Sequence, residues 1–145
     1  GSDNLNIAGT ADADTLRGND GENIVDGEGG GDVLFGGLGN DFFDYDDVSE
    51  STSADVDLIR DFEQAVDLSG GDIIDLFDID ARDGGPNNAF SFIGSAAFSS
   101  SEGELRFHQT GNKTIIQGDT DGDGSADLEI QLLGVYDLTD ADFVL

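Results

Sequence analysis

The chain has no cysteine, a single histidine, and five lysines and arginines among 145 residues. Without cysteine there is no disulfide framework and no thiolate metal site, which is compatible with a secreted protein. The cations Arg17, Arg60, Arg82, Arg106 and Lys113 lie far apart in the sequence. They form no basic patch to release counterions from nucleic acid or to hold an anionic membrane surface, so neither is an expected partner. No apolar run approaches the ~20 residues of a spanning helix, and no cleavable N-terminal leader is legible. One histidine cannot make H-E-x-x-H, and no G-x-S-x-G nucleophile occurs. His108 falls on a predicted strand, as a half-exposed residue without a ligand role.

Acid is abundant. Thirty-three Asp and Glu give a net charge of −28. Such a body repels itself and resists folding unless counterions bind, so divalent cations are the natural partners. An acidic chain is often disordered, but ten phenylalanines and patterned Ile, Leu and Val argue otherwise. A solvated, halophile-type surface would also be acidic, but it does not say where the acids fall. Here they recur in register with glycines.

Cut every nine residues from Gly9, the chain reads GTADADTLR, GNDGENIVD, GEGGGDVLF and GGLGNDFFD. The first position is Gly9, Gly18, Gly27 and Gly36. The sixth is Asp14, Asn23, Asp32 and Asp41, and the eighth is Leu16, Val25, Leu34 and Phe43. Asp12 stands in the first unit where later units have a glycine, and is a further candidate metal ligand. A plain reading is a series of glycine-rich solvated turns. The pattern G-G-x-G-x-D-x-U-x, however, resembles the calcium-binding nonapeptide of RTX proteins.

That resemblance implies an all-β fold, a right-handed parallel β-roll of nonapeptide repeats capped by an antiparallel β meander. Each unit would be a loop followed by a short strand, with two units to a coil. The triplet x-U-x turns one side chain inward, so Leu16, Val25, Leu34 and Phe43 are the expected interior. Loops 18 residues apart would stack, setting Asp14 over Asp32 and Asn23 over Asp41. Stacked carboxylates repel, and calcium between them removes the repulsion while accepting the carbonyls of glycine loops. Several Ca2+ ions are expected, with Gly9, Gly18, Gly27 and Gly36 in the loops that hold them. Asn23 keeps an oxygen but loses a charge, so the Asn23/Asp41 site is expected to be the weaker. One further step from Asp32 reaches Glu50, a candidate for a distorted site. The outward residues Val33, Phe35 and Phe42 imply that the C-terminal half covers the late coils.

The stretch 55–81 keeps apolar triplets between acids and resembles the segment after the repeats in serralysin-type metalloproteases. Ile59 and Ile74 read as interior, and Asp57, Asp61, Asp72 and Asp75 as ligands of a capping calcium or as outward strand and turn residues. From Asn88 the pattern alternates: Phe90 with Phe92, Leu105 with Phe107, a TGN turn, then Leu128, Ile130 and Leu132. Between the last two strands lies DTDGDGSAD, residues 119–127. Its first half matches an EF-hand loop, but Ile130 stands at the twelfth position and a strand follows. Asp119, Asp121, Asp123 and Asp127 are candidate ligands there; an acidic turn is the alternative. Phe143 and Val144 read as core, and the ending DFVL resembles an uncleaved secretion signal of the type I route.

One RTX module over 1–145 is expected, with repeats at 9–44, degenerate coils and cap at 45–87, and an antiparallel part at 88–145. Paired carboxylates leave a glycosidase-type reading open, but a bound cation lowers the pKa that a catalytic acid needs raised. No catalytic residue is expected in this chain. The resemblance implies a secreted, monomeric calcium-folded module beside a catalytic domain or further RTX modules. It is similar to an R-module of bacterial mannuronan (alginate) C5-epimerases and to the C-terminal domain of serralysin-type proteases. A weak alginate site would use Arg17 and Arg60.

Overall fold

The computed structural model describes residues 1–65, 70–82 and 85–145. Twelve strands form two sheets. The first sheet joins β1 (Asn6–Thr10), β3 (Ile24–Glu28), β5 (Phe42–Asp44), β7 (Ile73–Asp75) and β12 (Phe143–Val144), with every neighbour parallel. The second begins with β2 (Thr15–Arg17), β4 (Val33–Phe35) and β6 (Asp57–Ile59), again parallel. It continues through β11 (Leu128–Leu133), β10 (Lys113–Asp119), β9 (Glu104–Thr110) and β8 (Ser91–Phe92). The chain alternates between sheets from β1 to β7, which is the winding of a roll. The first sheet starts one unit upstream of Gly9, since Ile7 pairs with Val25.

Val25, Leu34, Phe43, Ile59 and Ile74 have no exposed surface. Val25, Leu34 and Phe43 are eighth-position residues of the repeats, Ile59 and Ile74 stand likewise two residues after Asp57 and Asp72, and burying each contributes about 1.5–3 kcal/mol. Leu16 and Ile7 pack against this core but are only partly buried. Strands of three residues with one inward side chain are weak elements. Further ties between coils come from their loops, where a side-chain oxygen accepts the backbone N–H one coil earlier.

The period breaks after Phe43. Asp32 is matched by a residue 25 further on and Asp41 by one 31 further on. The intervening segments are longer than one repeat and carry Tyr45, Val48 and Ser51 in one case and Phe62 in the other, all packed inward or half-buried.

The meander is antiparallel across β9, β10 and β11, turning at Gly111 with φ +59°. It meets the roll differently from the expected cover: β11 pairs with β6 in parallel, Leu132 opposite Ile59, so the meander extends the second sheet edge to edge. β8 adds to β9 in parallel. The inner faces then form one core, with Leu105, Phe107, Ile116, Ile130 and Leu132 buried alongside Phe143 and Leu138. Phe92 bridges Phe107 and Phe143 at ring separations of 6.2 and 5.2 Å. The outward Phe35 is covered not by the meander but by Arg17, whose guanidinium carbon lies 3.7 Å from the ring centroid. Phe42 stays 37% exposed.

Candidate metal centre

Two columns of side chains run up the edges of the roll. The first is Asp14, Asp32 and Asp57, each two residues before an inward apolar residue. The second is Leu5, Asn23, Asp41 and Asp72. Within each column one oxygen accepts the backbone N–H of the residue one coil earlier. Asp14 donates to Asp32 Oδ1 at 2.7 Å and Asp32 to Asp57 Oδ1 at 2.8 Å. Leu5 donates to Asn23 Oδ1 at 3.3 Å, Asn23 to Asp41 Oδ1 at 2.7 Å and Asp41 to Asp72 Oδ1 at 3.0 Å.

The other oxygen of each carboxylate decides the chemistry. At the column ends it is satisfied. Asp14 Oδ2 accepts from Thr10 N and Oγ1 at 2.7 and 2.9 Å. Asp57 Oδ2 accepts from the Tyr45 hydroxyl at 3.0 Å, and Asp72 Oδ2 from Glu63 N at 2.8 Å. In the middle it is not: Asp32 Oδ2 and Asp41 Oδ2 are buried and have no hydrogen-bond partner among the described residues. A buried polar atom left unpaired costs about 1–3 kcal/mol, more when charged.

The glycines explain how such oxygens are reached. A Cβ at Gly27 would lie 2.4 Å from Asp32 Oδ2 and 3.2 Å from Asp57 Oδ2, and one at Gly36 would lie 2.3 Å from Asp41 Oδ2. At Gly9 it would meet the Gly27 carbonyl at 2.4 Å and Asp14 Oδ2 at 3.0 Å. Gly30 and Gly39 hold φ of +107° and +112°, which side chains disfavour. The donor set is all oxygen, carboxylate and loop carbonyl, which suits a hard cation such as calcium.

Electrostatics agree. Burial raises the Asp32 carboxyl, and the charges of Asp14 and Asp26 add to it. Burial likewise raises Asp41, with Asp61 and Glu22 contributing. Burial pushes Asp57 and Asp72 up to about 7, aided by the charges of Asp32 and Asp41 respectively. A cation in the columns would reverse each of these shifts.

Other predicted residues fall elsewhere. Glu50 is not the next step above Asp32: Asp57 takes that place, because the segment between is seven residues longer than the period. Glu50 instead accepts from Asp46 N at 3.0 Å. Its carboxyl is pushed up to about 7 by burial and by Asp26, Asp46 and Glu28. Asp61 follows β6 and accepts from Gly36 N and Gly37 N at 2.9 and 3.1 Å. Asp75 lies outward on β7 opposite Asp44. Asp12 is exposed in the first loop. Among the described residues, oxygens of Asp119, Asp121 and Asp127 gather within 4.8 Å of one another, leaving Asp123 outside. Asp119 accepts from Gly122 N and Gly124 N at 2.7 and 2.8 Å. His108 is half-buried on β9. Arg60 lies 5.9 Å from the Phe35 ring, so Arg17, Phe35 and Arg60 make a cation–aromatic–cation ladder on the outer face.

Sequence reasoning missed Tyr45 and Ser51, which end the first column. Ser51 Oγ accepts Asp57 N at 3.0 Å and donates to the Glu129 carbonyl, tying the column to β11. No glycine frame marks them. The triplets Asp57-Leu58-Ile59 and Asp72-Ile73-Ile74 repeat the D-x-U signature of Asp32-Val33-Leu34, a shorter motif that carries both columns past the break in the period.

A family profile described as peptidase M10 serralysin C terminal matches residues 4–145. No curated protein matches the chain. Among 30 solved chains that match, one is the solution structure of a subunit of the Azotobacter vinelandii mannuronan C5-epimerase. It is 22% identical with a TM-score of 0.55, over 99% of this chain and 80% of that one. At that identity the likeness is one of fold.

Proposed function

The chain belongs to the peptidase M10 serralysin C-terminal family, and on that premise we propose that it is a non-catalytic module that folds on binding calcium, within a larger secreted enzyme. The observation that carries this reading is the pair of buried, unpartnered oxygens Asp32 Oδ2 and Asp41 Oδ2. Calcium would be held at three steps: Asp14 with Asp32, Asp32 with Asp57, and Asp41 with Asp72, each with loop carbonyls. The hairpin loop of Asp119, Asp121 and Asp127 is a further candidate. The ion would supply the charge that the columns lack.

Binding free energy is then folding free energy. Such a chain stays unfolded where calcium is scarce and folds where it is plentiful, which suits export before folding by a type I route. The parent is an M10 metalloprotease or an alginate C5-epimerase; the family match favours the first and the solved neighbour the second. Circular dichroism with calcium and then with chelator tests the reading. Strand signal should appear with calcium and collapse with chelator; unchanged spectra would sink it.

A second reading rests on the Arg17–Phe35–Arg60 ladder, the one place where two guanidinium groups flank an aromatic face among the described residues. It is a weak site for an anionic polysaccharide such as alginate, opposed by the net charge. NMR shifts clustered on these residues during titration with alginate oligomers would support it, and their absence would remove it.

A further inference from the structure

We propose that the side-chain amide of Asn23 stands where an ion would otherwise stand between loops 18–23 and 36–41, so that this step of the second column closes without metal. The inference rests on the calcium reading of the other steps.

Asp14 and Asn23 occupy equivalent places on the two edges. Each gives its backbone N–H to the carboxylate one coil on, at 2.7 Å in both cases. Each lies beside a glycine packed against the next coil's glycine carbonyl: Gly9 against Gly27 O, Gly18 against Gly36 O. The difference is one atom. At Gly9 the neighbouring side-chain atom is Asp14 Oδ2, which like the Gly27 carbonyl beside it can only accept. At Gly18 it is Asn23 Nδ2, a donor.

That nitrogen donates to the Gly21 carbonyl at 2.7 Å, Asp41 Oδ1 at 2.8 Å and the Gly36 carbonyl at 3.2 Å, with the Asn19 carbonyl at 3.4 Å. Oxygens from both loops converge on it, the shell a hard cation takes. The reverse orientation of the amide would set Oδ1 against four oxygens, so its surroundings fix the donor side. Asn23 has no exposed surface, leaving no solvent to compensate. The amide joins the loops with two N–H hydrogens and spares the step a second negative charge.

Asn23→Asp should turn this step into a metal site. Native mass spectrometry at saturating calcium should count one more ion per folded chain than in the wild type, and the variant should need more calcium to fold. An equal count would overturn the inference. If the wild type binds no calcium, the proposed function fails, while the difference in count still decides this point. Should the variant not fold, the wild-type side-chain amide decides. Its hydrogens should exchange slowly with water by NMR in saturating calcium, and rapid exchange would overturn the inference.

Discussion

The roll and the meander solve the same problem, holding strands side by side, by opposite means. In the meander, β9 and β10 run for seven residues each and pair along their length. Their inner face is apolar, and their outer polar groups meet partners: Arg106 with Gln117, and Gln117 with Glu129. In the roll the strands are mostly of three residues and contribute one inward side chain. Five of its acids, Asp14, Asp32, Asp57, Asp41 and Asp72, are stacked in the edges, where they repel. The meander is stabilised by what its sequence buries. If the proposed calcium reading holds, the charge of the columns opposes the apolar triplets of the roll until an ion cancels it, and calcium dependence should be concentrated there.

The largest expected effect is at Asp32, which belongs to two steps of one column. Asp32→Asn keeps an acceptor for the Asp14 N–H and removes the charge. The calcium midpoint of folding, followed by circular dichroism, should rise by about tenfold or more, a loss of at least ~1.4 kcal/mol. Asp127→Ala removes a hairpin carboxylate that accepts from Thr120 N and Oγ1 at 2.8 and 2.7 Å, and should move the midpoint by less than about twofold. Equal midpoints would remove the distinction between column and hairpin.

Protons should separate the two regions in the metal-free protein. Asp57 and Asp72 are raised to about 7 by burial, against about 3.9 when unfolded. Between these values the folded state holds more protons, so stability falls as pH rises and recovers on acidification. Glu104 in the meander is lowered by the hydroxyl and N–H of Ser99. Its contribution is present above its unfolded value and is lost only as pH falls below that. In chelator, a shift from pH 8 to pH 5 should raise amide protection in β4, β5 and β6 by more than in β9 and β10. Protection that fell in the roll on acidification would contradict the assignment.

The periodic part of this architecture was legible because loop and strand repeat with a fixed length. The register from Gly9 to Phe43 predicted the inward residues and the pairing of Asp14 with Asp32. It failed for Glu50 because nothing in the period announces a longer segment, whereas the hydrogen bond to Asp32 N selects Asp57 by geometry. It missed the coil before Gly9, where Leu5 stands in place of an acid. The alternation of the meander was legible too, but not its docking. Pairing of β11 with β6 joins residues 73 apart, which no local pattern encodes. Of the four hairpin candidates only Asp123 falls outside the cluster; β11 starts at Leu128, which brings Asp127 back to Thr120.

The smallest effect concerns strain within the roll. Glu28 follows Gly27 as Gly37 follows Gly36, and its φ is +61° where Gly37 has +106°. A non-glycine side chain in the left-handed region costs about 1–2 kcal/mol, offset in a glycine variant by about 0.5–1 kcal/mol of unfolded-state entropy. Glu28→Gly keeps the Glu28 N–H bond to Asp26 Oδ1 at 2.8 Å, since that donor is backbone. In saturating calcium the net gain should be about 0.5 kcal/mol, read as a rise in Tm of roughly 1–2 °C. Glu28→Ala also removes the charge near Glu50 but retains the strained backbone, so it separates the two causes. A rise confined to the glycine variant assigns the effect to strain, and equal rises assign it to charge.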